Sequence, residues 1–291
     1  MKVVGFTFVR NAVKYDYPIL ESINSILPLC DQVIVSVGHS DDGTEELIRS
    51  IQSPKIFINH STWDDSLQEG GRVLAVETDK AFDWVPKDAD WCIYLQADEV
   101  IHEKYYGTIQ EAMIKFKDHP EVEGLLFKYV HFYASYDYVG DSRKWYGHEI
   151  RIIRNDHSIR SYRDAQGFRK QGRKLFVKPI DACIYHYGWV RHPLAQVQKL
   201  NNFVKLWGAS DQDLTTIPKT AESLFDYSTI DSLAHFTGTH PKVMQERIRK
   251  MNWTFDFDIT KKKFSLKGKF LRWLERVSGK RFFEYRNYKI I

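Results

Sequence analysis

The chain is short of cysteine, with three in 291 residues, at positions 30, 92 and 183. They are scattered, odd in number and set in apolar surroundings. That excludes a disulfide framework and a cysteine-built zinc site, and all three are expected as small core residues. No apolar run approaches the roughly 20 residues of a bilayer span. The opening stretch, Met1-Lys-Val-Val-Gly-Phe-Thr-Phe-Val-Arg10, turns polar too soon for a signal peptide. It reads as the first β-strand of a cytoplasmic protein. Two phosphate-binding signatures are missing as well. The first strand runs into Val9-Arg10-Asn11-Ala12 without Gly-x-Gly-x-x-Gly, and no Gly-x-x-x-x-Gly-Lys-Ser/Thr loop occurs. A nucleotide, if bound, is held another way. Internal repeats and low-complexity linkers are absent too.

What is present is unevenly charged. The net charge is +4, yet residues 261–291 hold eleven Lys/Arg and two Glu, a local +9 that leaves −5 for the rest. A nucleic-acid reader more often spreads basic charge over its folded domain.

Short β-rich runs alternate with helical spacing. Strands are expected at Val3–Val9, Val33–Val37, Lys55–Asn59 and Trp91–Leu95. Helices are expected at Tyr17–Leu29, Glu45–Ile51, Leu67–Val85 and Glu103–Phe116. This β-α-β-α order implies an α/β fold with a doubly wound, mostly parallel sheet. Then Gly124–Phe132, Ile150–Arg154 and Pro179–Tyr187 read as strands without helices between them. They suggest an added, partly antiparallel layer. Helices return at Leu194–Trp207 and Pro241–Asn252, the latter opened by proline.

Three motifs carry chemistry. In Trp91-Cys-Ile-Tyr-Leu-Gln-Ala-Asp98-Glu99 an apolar run ends in two carboxylates. At the carboxyl end of a parallel strand such acid suits a hard divalent cation, which in turn holds a diphosphate. Its plainer role is to cap the helix that starts near His102. In Ser36-Val-Gly-His-Ser-Asp41-Asp42-Gly-Thr-Glu45, Asp42-x-x-Glu45 reads as a capping box, while an aspartate there can also accept from a base or ribose. In Ile180-Asp-Ala-Cys-Ile-Tyr-His186-Tyr-Gly-Trp-Val-Arg191, His186 shares a strand face with Ile180, Ala182 and Ile184, a common setting for a core histidine.

Phe8-Val-Arg10-Asn11, Asp41-Asp42-Gly43-Thr44 and Leu95-Gln-Ala-Asp98-Glu99 together resemble, in order and spacing, the family 2-like glycosyltransferases of the GT-A fold. The resemblance covers about residues 1–190. It implies that Arg10, Asn11, Asp41 and Asp42 hold the base and ribose of a nucleotide sugar, UDP by family habit. Asp98 would hold metal and diphosphate, with His186 as a second metal ligand. Mn2+ tolerates such mixed nitrogen and oxygen donors better than Mg2+, and either ion is expected. Arg72 is a further candidate for the donor phosphates or base. Gln96 departs from the family's Asp-x-Asp.

The implied reaction moves a sugar from a nucleotide diphosphate to a hydroxyl, inverting by default. The family's Glu-Asp base motif is not evident, so Glu149 and Asp164 are both catalytic-base candidates. Phe127, Tyr129, Phe132, Tyr133, Tyr136, Tyr138, Trp145 and Tyr146 crowd the segment before Glu149, and Trp145 or Tyr146 is expected to line an acceptor groove. Residues 1–215 are expected as the catalytic domain, with the nucleotide-sugar half ending near 120. Residues 216–291 are expected as a helical extension. In it Leu266, Phe270, Trp273, Leu274 and Val277 recur at helical spacing amid Lys267, Lys269, Arg272 and Arg276. That is the pattern of a basic amphipathic helix on anionic lipid at the inner face of a membrane, suited to a glycan or lipid-linked acceptor in envelope polysaccharide synthesis. A helix docked on the domain with its charges solvated gives the same pattern. Two other functions remain open: a sugar-nucleotide-forming nucleotidyltransferase, although the glycine-rich loop it needs is absent, and a non-catalytic carbohydrate-binding protein.

Overall fold

A computed structural model describes residues 1–67, 69–207 and 224–291. The boundary expected between residues 215 and 216 lies outside them. The described chain is an α/β structure built on one eleven-stranded sheet, with a separate sheet of three short strands.

Strands β1 (Val3–Val9), β2 (Gln32–Gly38), β3 (Ile56–Ser61) and β4 (Trp91–Tyr94) are all parallel, in the order β3-β2-β1-β4. Helices α1 (Ile19–Ile26), α2 (Thr44–Arg49) and α3 (Arg72–Asp83) lie between them in the chain. Every residue of β1 and β4 is buried, as both-face coverage requires, and this is why they read as nearly continuous apolar runs. Alternation along the strands divides the core. Val3, Val33, Val35 and Ile93 pack with Ile19, Ile23 and Ile26 of α1. Val4, Phe6, Ile34 and Tyr94 pack with Ala81 and Phe82 of α3. Each such fully buried side chain contributes about 1.5–3 kcal/mol.

The partly antiparallel addition is made by β6 (Gly124–Tyr133), β7 (Ser135–Gly140), β8 (His148–Arg154) and β12 (Phe176–Trp189), and it is continuous with the parallel strands. They extend the same sheet: β8 pairs antiparallel with β4, β6 antiparallel with β8, and β12 parallel with β6. The backbone groups of β4 left open by β1 thereby find partners. Only β9 (Ile159–Tyr162), β10 (Gly167–Lys170) and β11 (Arg173–Lys174) stand apart as the small sheet.

Some local readings shift. Gly43 takes a left-handed conformation, φ 78°, at the start of α2, so no Asp42–Glu45 capping box forms. Asp42 instead accepts from the backbone N–H of Thr44 and of Lys14. Between the acidic motif and α4 (Tyr106–Phe116) lies an unforeseen strand, β5 (Glu99–Ile101), paired with β12. His102, not Asp98 or Glu99, caps the one-turn 3-10 helix that precedes α4, its Nδ1 accepting from Lys104 N–H. Cys183 is half-buried, whereas Cys30 and Cys92 are core.

Helix α5 (Pro193–Trp207) follows β12. The C-terminal part is not purely helical. With α6 (Gln245–Arg249) and α7 (Leu266–Ser278) it supplies β13 (Leu233–His235) on β7 and β14 (Lys289–Ile290) on β12. No described helix is long and apolar enough to cross a membrane.

Candidate functional site

β1 has β2 on one side and β4 on the other, so the chain changes direction there, and ligands of α/β sheets collect at such switch points. A cleft of about 380 Å3 opens beside the carboxyl ends of these strands. Phe8, Val9 and Arg10 line it from the end of β1, and Gln96, Ala97 and Asp98 from the end of β4. Asp164, Arg151, His186 and Lys199 complete its polar wall, with Tyr17, Trp63, Tyr146 and Trp189 as aromatic surface.

The first-strand end is organised around Trp63. The Arg10 guanidinium lies 4.3 Å from its ring centroid and 2.8 Å from Asp65. Gly38 permits this approach: a Cβ there would come within 2.3 Å of Trp63 Nε1.

The two carboxylates of the acidic motif have different fates. Glu99 is fully buried and committed: Arg151 donates to both its oxygens at 2.7 and 2.8 Å, and the Tyr129 hydroxyl donates at 2.7 Å. It is not among the residues that line the cleft. Asp98 faces the cleft. Its Oδ2 accepts from Lys199 Nζ at 3.1 Å, and its Oδ1 stands 3.7 Å from His186 Nε2. Burial alone would raise the Asp98 carboxyl, but the cations Lys199 and Arg191 outweigh it and hold it below the ordinary range. Burial, reinforced by Arg191, pulls the Lys199 ammonium down to about 8 against the opposing pull of Asp98.

His186 is not an isolated core residue. Its Nδ1 meets His131 Nδ1 at 3.0 Å, and His131 Nε2 meets the Tyr146 carbonyl at 2.9 Å. Burial pushes both imidazoles below their usual pKa, His131 to about 3, so both are neutral at pH 7. A carbonyl can only accept, so His131 Nε2 carries the proton. His131 Nδ1 then accepts from His186 Nδ1, and His186 Nε2 is left with a bare lone pair beside Asp98. A neutral imidazole whose far nitrogen is fixed by such a hydrogen bond is the usual form of a metal-ligating histidine. Gly188 keeps the space open: a Cβ there would lie 2.6 Å from His186 Nε2 and 2.8 Å from Asp98 Oδ2.

Asp98 and His186 therefore fit a divalent ion as two protein ligands. Among the described residues no group of three His, Cys, Asp or Glu converges on one point. The remaining ligands would come from phosphate oxygens and water, as is common for Mg2+.

Of the two base candidates, Asp164 lines the cleft and Glu149 does not. Asp164 sits in a strained turn between Arg163 and Ala165, at φ 56° and 61°, and Gln96 Nε2 ties that turn to the acidic motif through Ala165 O at 3.4 Å. Burial raises its carboxyl. Glu149 is 3% exposed, and burial raises it to about 8.

The other sequence candidates sit around the cleft rather than in its wall. The Asn11 side-chain carbonyl accepts from Asp41 N–H at 3.3 Å, and Asp42 ties the 11–14 loop to the 41–44 turn through Lys14. Both oxygens of Asp42 are thus used within the fold, while the Asp41 carboxylate is 70% exposed. Arg72 opens α3 and is exposed. Sequence reasoning missed Arg151, Arg191 and Lys199, which come from β8, the end of β12 and α5.

Tyr146 also lines a second hollow of about 310 Å3, together with Trp145, Tyr129 and the tail residues Arg272, Arg276 and Arg281. Phe127, Phe132, Tyr133, Tyr136 and Tyr138 are core instead.

No protein-family model matches the chain, and no curated protein matches it. Among solved structures it is similar to TarS of S. aureus, residues 1–349, in complex with UDP: 16% identity, 75% of this chain and 69% of that one, TM-score 0.39. Against a longer TarS structure the chain spans 39% of that length. Glucosyl-3-phosphoglycerate synthase of Mycobacterium tuberculosis, crystallised with Mn2+, UDP and phosphoglyceric acid, is 15% identical over 45% of this chain and 43% of that one, TM-score 0.30. A 4-diphosphocytidyl-2C-methyl-D-erythritol synthase of Anaerococcus prevotii is 9% identical over 71% of this chain and 95% of that one, TM-score 0.38. At these values the likeness does not give any residue a role.

Proposed function

We propose that this protein is a glycosyltransferase that moves a sugar from a nucleotide diphosphate sugar, UDP by expectation, to a hydroxyl of a glycan or lipid-linked acceptor. One observation carries the reading: a single cleft at the sheet's switch point gathers the Arg10 end of β1, the Asp98–His186 pair and the Asp164 carboxylate.

Asp98 and His186 stand where a divalent ion would be held, and such an ion would neutralise charge on the departing diphosphate. The protein's own steps follow from the cleft wall. The bond between the anomeric carbon and the diphosphate oxygen breaks, and its electron pair leaves with the nucleoside diphosphate. The acceptor oxygen forms the new bond to that carbon, and its proton passes to Asp164. A buried carboxylate of raised pKa is the more basic for that task. Single displacement with inversion is the simplest course with one base in the wall.

The acceptor reading draws on the second hollow, which shares Tyr146 with the cleft. Its outer wall is α7, whose inward residues are tied down: Arg143 to Glu275 at 2.5 Å, and Arg272 to the Asp141 carbonyl at 2.6 Å. Outward, Leu266, Phe270, Trp273 and Val277 are 57–86% exposed on one stripe, flanked by exposed Lys267, Lys269 and Arg276. A helix docked through its apolar face would bury that stripe and expose its charges. An apolar stripe with basic margins fits an anionic membrane surface.

The test is chromatographic detection of nucleoside diphosphate released from a panel of nucleotide sugars, with manganese. Release from one donor, lost in Asp98→Ala, is the expected result. No release from any donor, with or without candidate acceptors, would contradict it.

A further inference from the structure

We propose that Lys199 is a binding residue for the donor's diphosphate, a built-in cation that Asp98 holds at the cleft wall. The inference rests on the donor reading above and assigns a residue to it that no sequence motif marks.

Lys199 is brought in by α5, 101 positions along the chain from Asp98. Its ammonium donates to Asp98 Oδ2 at 3.1 Å and to the Gly188 carbonyl at 2.8 Å. The Tyr17 ring, with its centroid 5.1 Å away, covers another side. An ammonium has three donors, and the described contacts use two. The side chain is 14% exposed, and that exposure belongs to the cleft it lines.

The charge count around this point is unbalanced. Arg191 is fully buried and donates to the carbonyls of Tyr15 and Gly188, with no carboxylate partner among the described residues. Lys199 and Arg191 thus face the single carboxylate of Asp98. Glu99 does not redress the count, because Arg151 neutralises it. Buried charges are ordinarily paired, so a cluster carrying one excess positive charge, open to a cleft, is suited to an anion. A diphosphate carries more than one negative charge and strong acceptor oxygens. It meets the third ammonium donor without displacing Asp98.

The arrangement also separates two tasks on Asp98. Oδ2 is turned to Lys199 and Oδ1 to His186. An ion beside His186 and the ammonium of Lys199 would meet the diphosphate from different sides. Lys199 stays in place as negative charge grows on the leaving oxygen, which is the condition for preorganised stabilisation.

The test is titration calorimetry with UDP, ADP, GDP and dTDP, each paired with its own nucleoside, in chelator and in manganese. It compares wild type with Lys199→Met, Lys199→Gln and Lys199→Arg. A hydrogen bond to a charged group at this strength predicts that the Met and Gln variants lose roughly 10- to 100-fold in affinity for the diphosphate. Their nucleoside affinity should change by no more than about twofold, and Lys199→Arg should keep most of the diphosphate increment. The Gln variant keeps a neutral N–H donor on a slightly shorter side chain, so it decides the matter if the Met variant does not fold. Equal losses for diphosphate and nucleoside, or an unchanged diphosphate increment in Lys199→Gln, would overturn the assignment while leaving the donor reading intact. A wild-type protein that binds no nucleotide of the panel would overturn both.

Discussion

Arg151 and Glu99 form a two-pronged ion pair, at 2.7 and 2.8 Å, with neither side chain more than 1% exposed. It joins β8 to the start of β5 at the wall of the cleft. Removing one member leaves the other charge buried and unpaired, which costs about 3–5 kcal/mol. Glu99→Leu and Arg151→Met should each lower the urea-unfolding free energy by that order. The double variant Glu99→Leu with Arg151→Met should lose much less than the sum, because no orphan charge remains. Additive losses would show that the pair does not act as a unit.

The two base candidates separate by position. Asp164→Asn should lower kcat by about 10²- to 10⁴-fold, the usual range for a lost general base, with little change in nucleotide affinity. Glu149→Gln should change kcat far less, since Glu149 does not reach the cleft. Because burial raises the Asp164 carboxyl, the acid limb of the kcat/KM profile should lie above the ordinary aspartate range. Steady-state kinetics across pH on the three proteins checks this.

Glu149 should declare itself in stability instead. Its carboxyl is raised from 4.5 to about 8 by burial, so the folded state holds the proton more tightly than the unfolded one. That contribution is fully present below pH 4.5 and is lost as pH rises through 8. Its slope is at most about 1.4 kcal/mol per pH unit. Glu149→Gln cannot lose a proton, so its stability relative to wild type should climb from pH 4.5 to 8 and level off above. A difference independent of pH would mean that Glu149 is ionised in the fold.

The exposed stripe of α7 predicts a membrane partner. Wild-type protein should sediment with vesicles containing phosphatidylserine and less with purely zwitterionic ones, and salt should weaken the binding. Phe270→Glu with Trp273→Glu should abolish it while donor turnover on a soluble acceptor persists. Binding unaffected by the double variant would remove α7 from the interface.

The first half of the fold was legible because both-face burial writes β1, β2 and β4 as nearly continuous apolar runs, and the run ending at Asp98 marks a strand's carboxyl end. The acid beside it was ambiguous. Asp98 and Glu99 look alike in sequence, and only the tertiary placement of Arg151 makes one a core ion pair and leaves the other for the cleft. Lys199 was illegible for the same reason: a lysine in the middle of a helix reads as surface unless its partner far back in the chain is known. The Asp42–Glu45 capping box failed locally, because Gly43 adopts a left-handed turn that redirects Asp42 to Thr44 and Lys14. The tail pattern gave the helix but not which side faces inward. Ion pairs to the 141–143 segment settle that.

The most direct test of the central claim is thermal unfolding with a panel of nucleotides and nucleotide sugars, in manganese and in chelator. A ligand at a hundred times its Kd stabilises the state it binds by about 2.7 kcal/mol, enough to read as several degrees. The account predicts a clear rise in Tm with one nucleoside diphosphate and its sugar, reduced in Asp98→Ala. An unchanged Tm with every nucleotide, in both conditions, would contradict it.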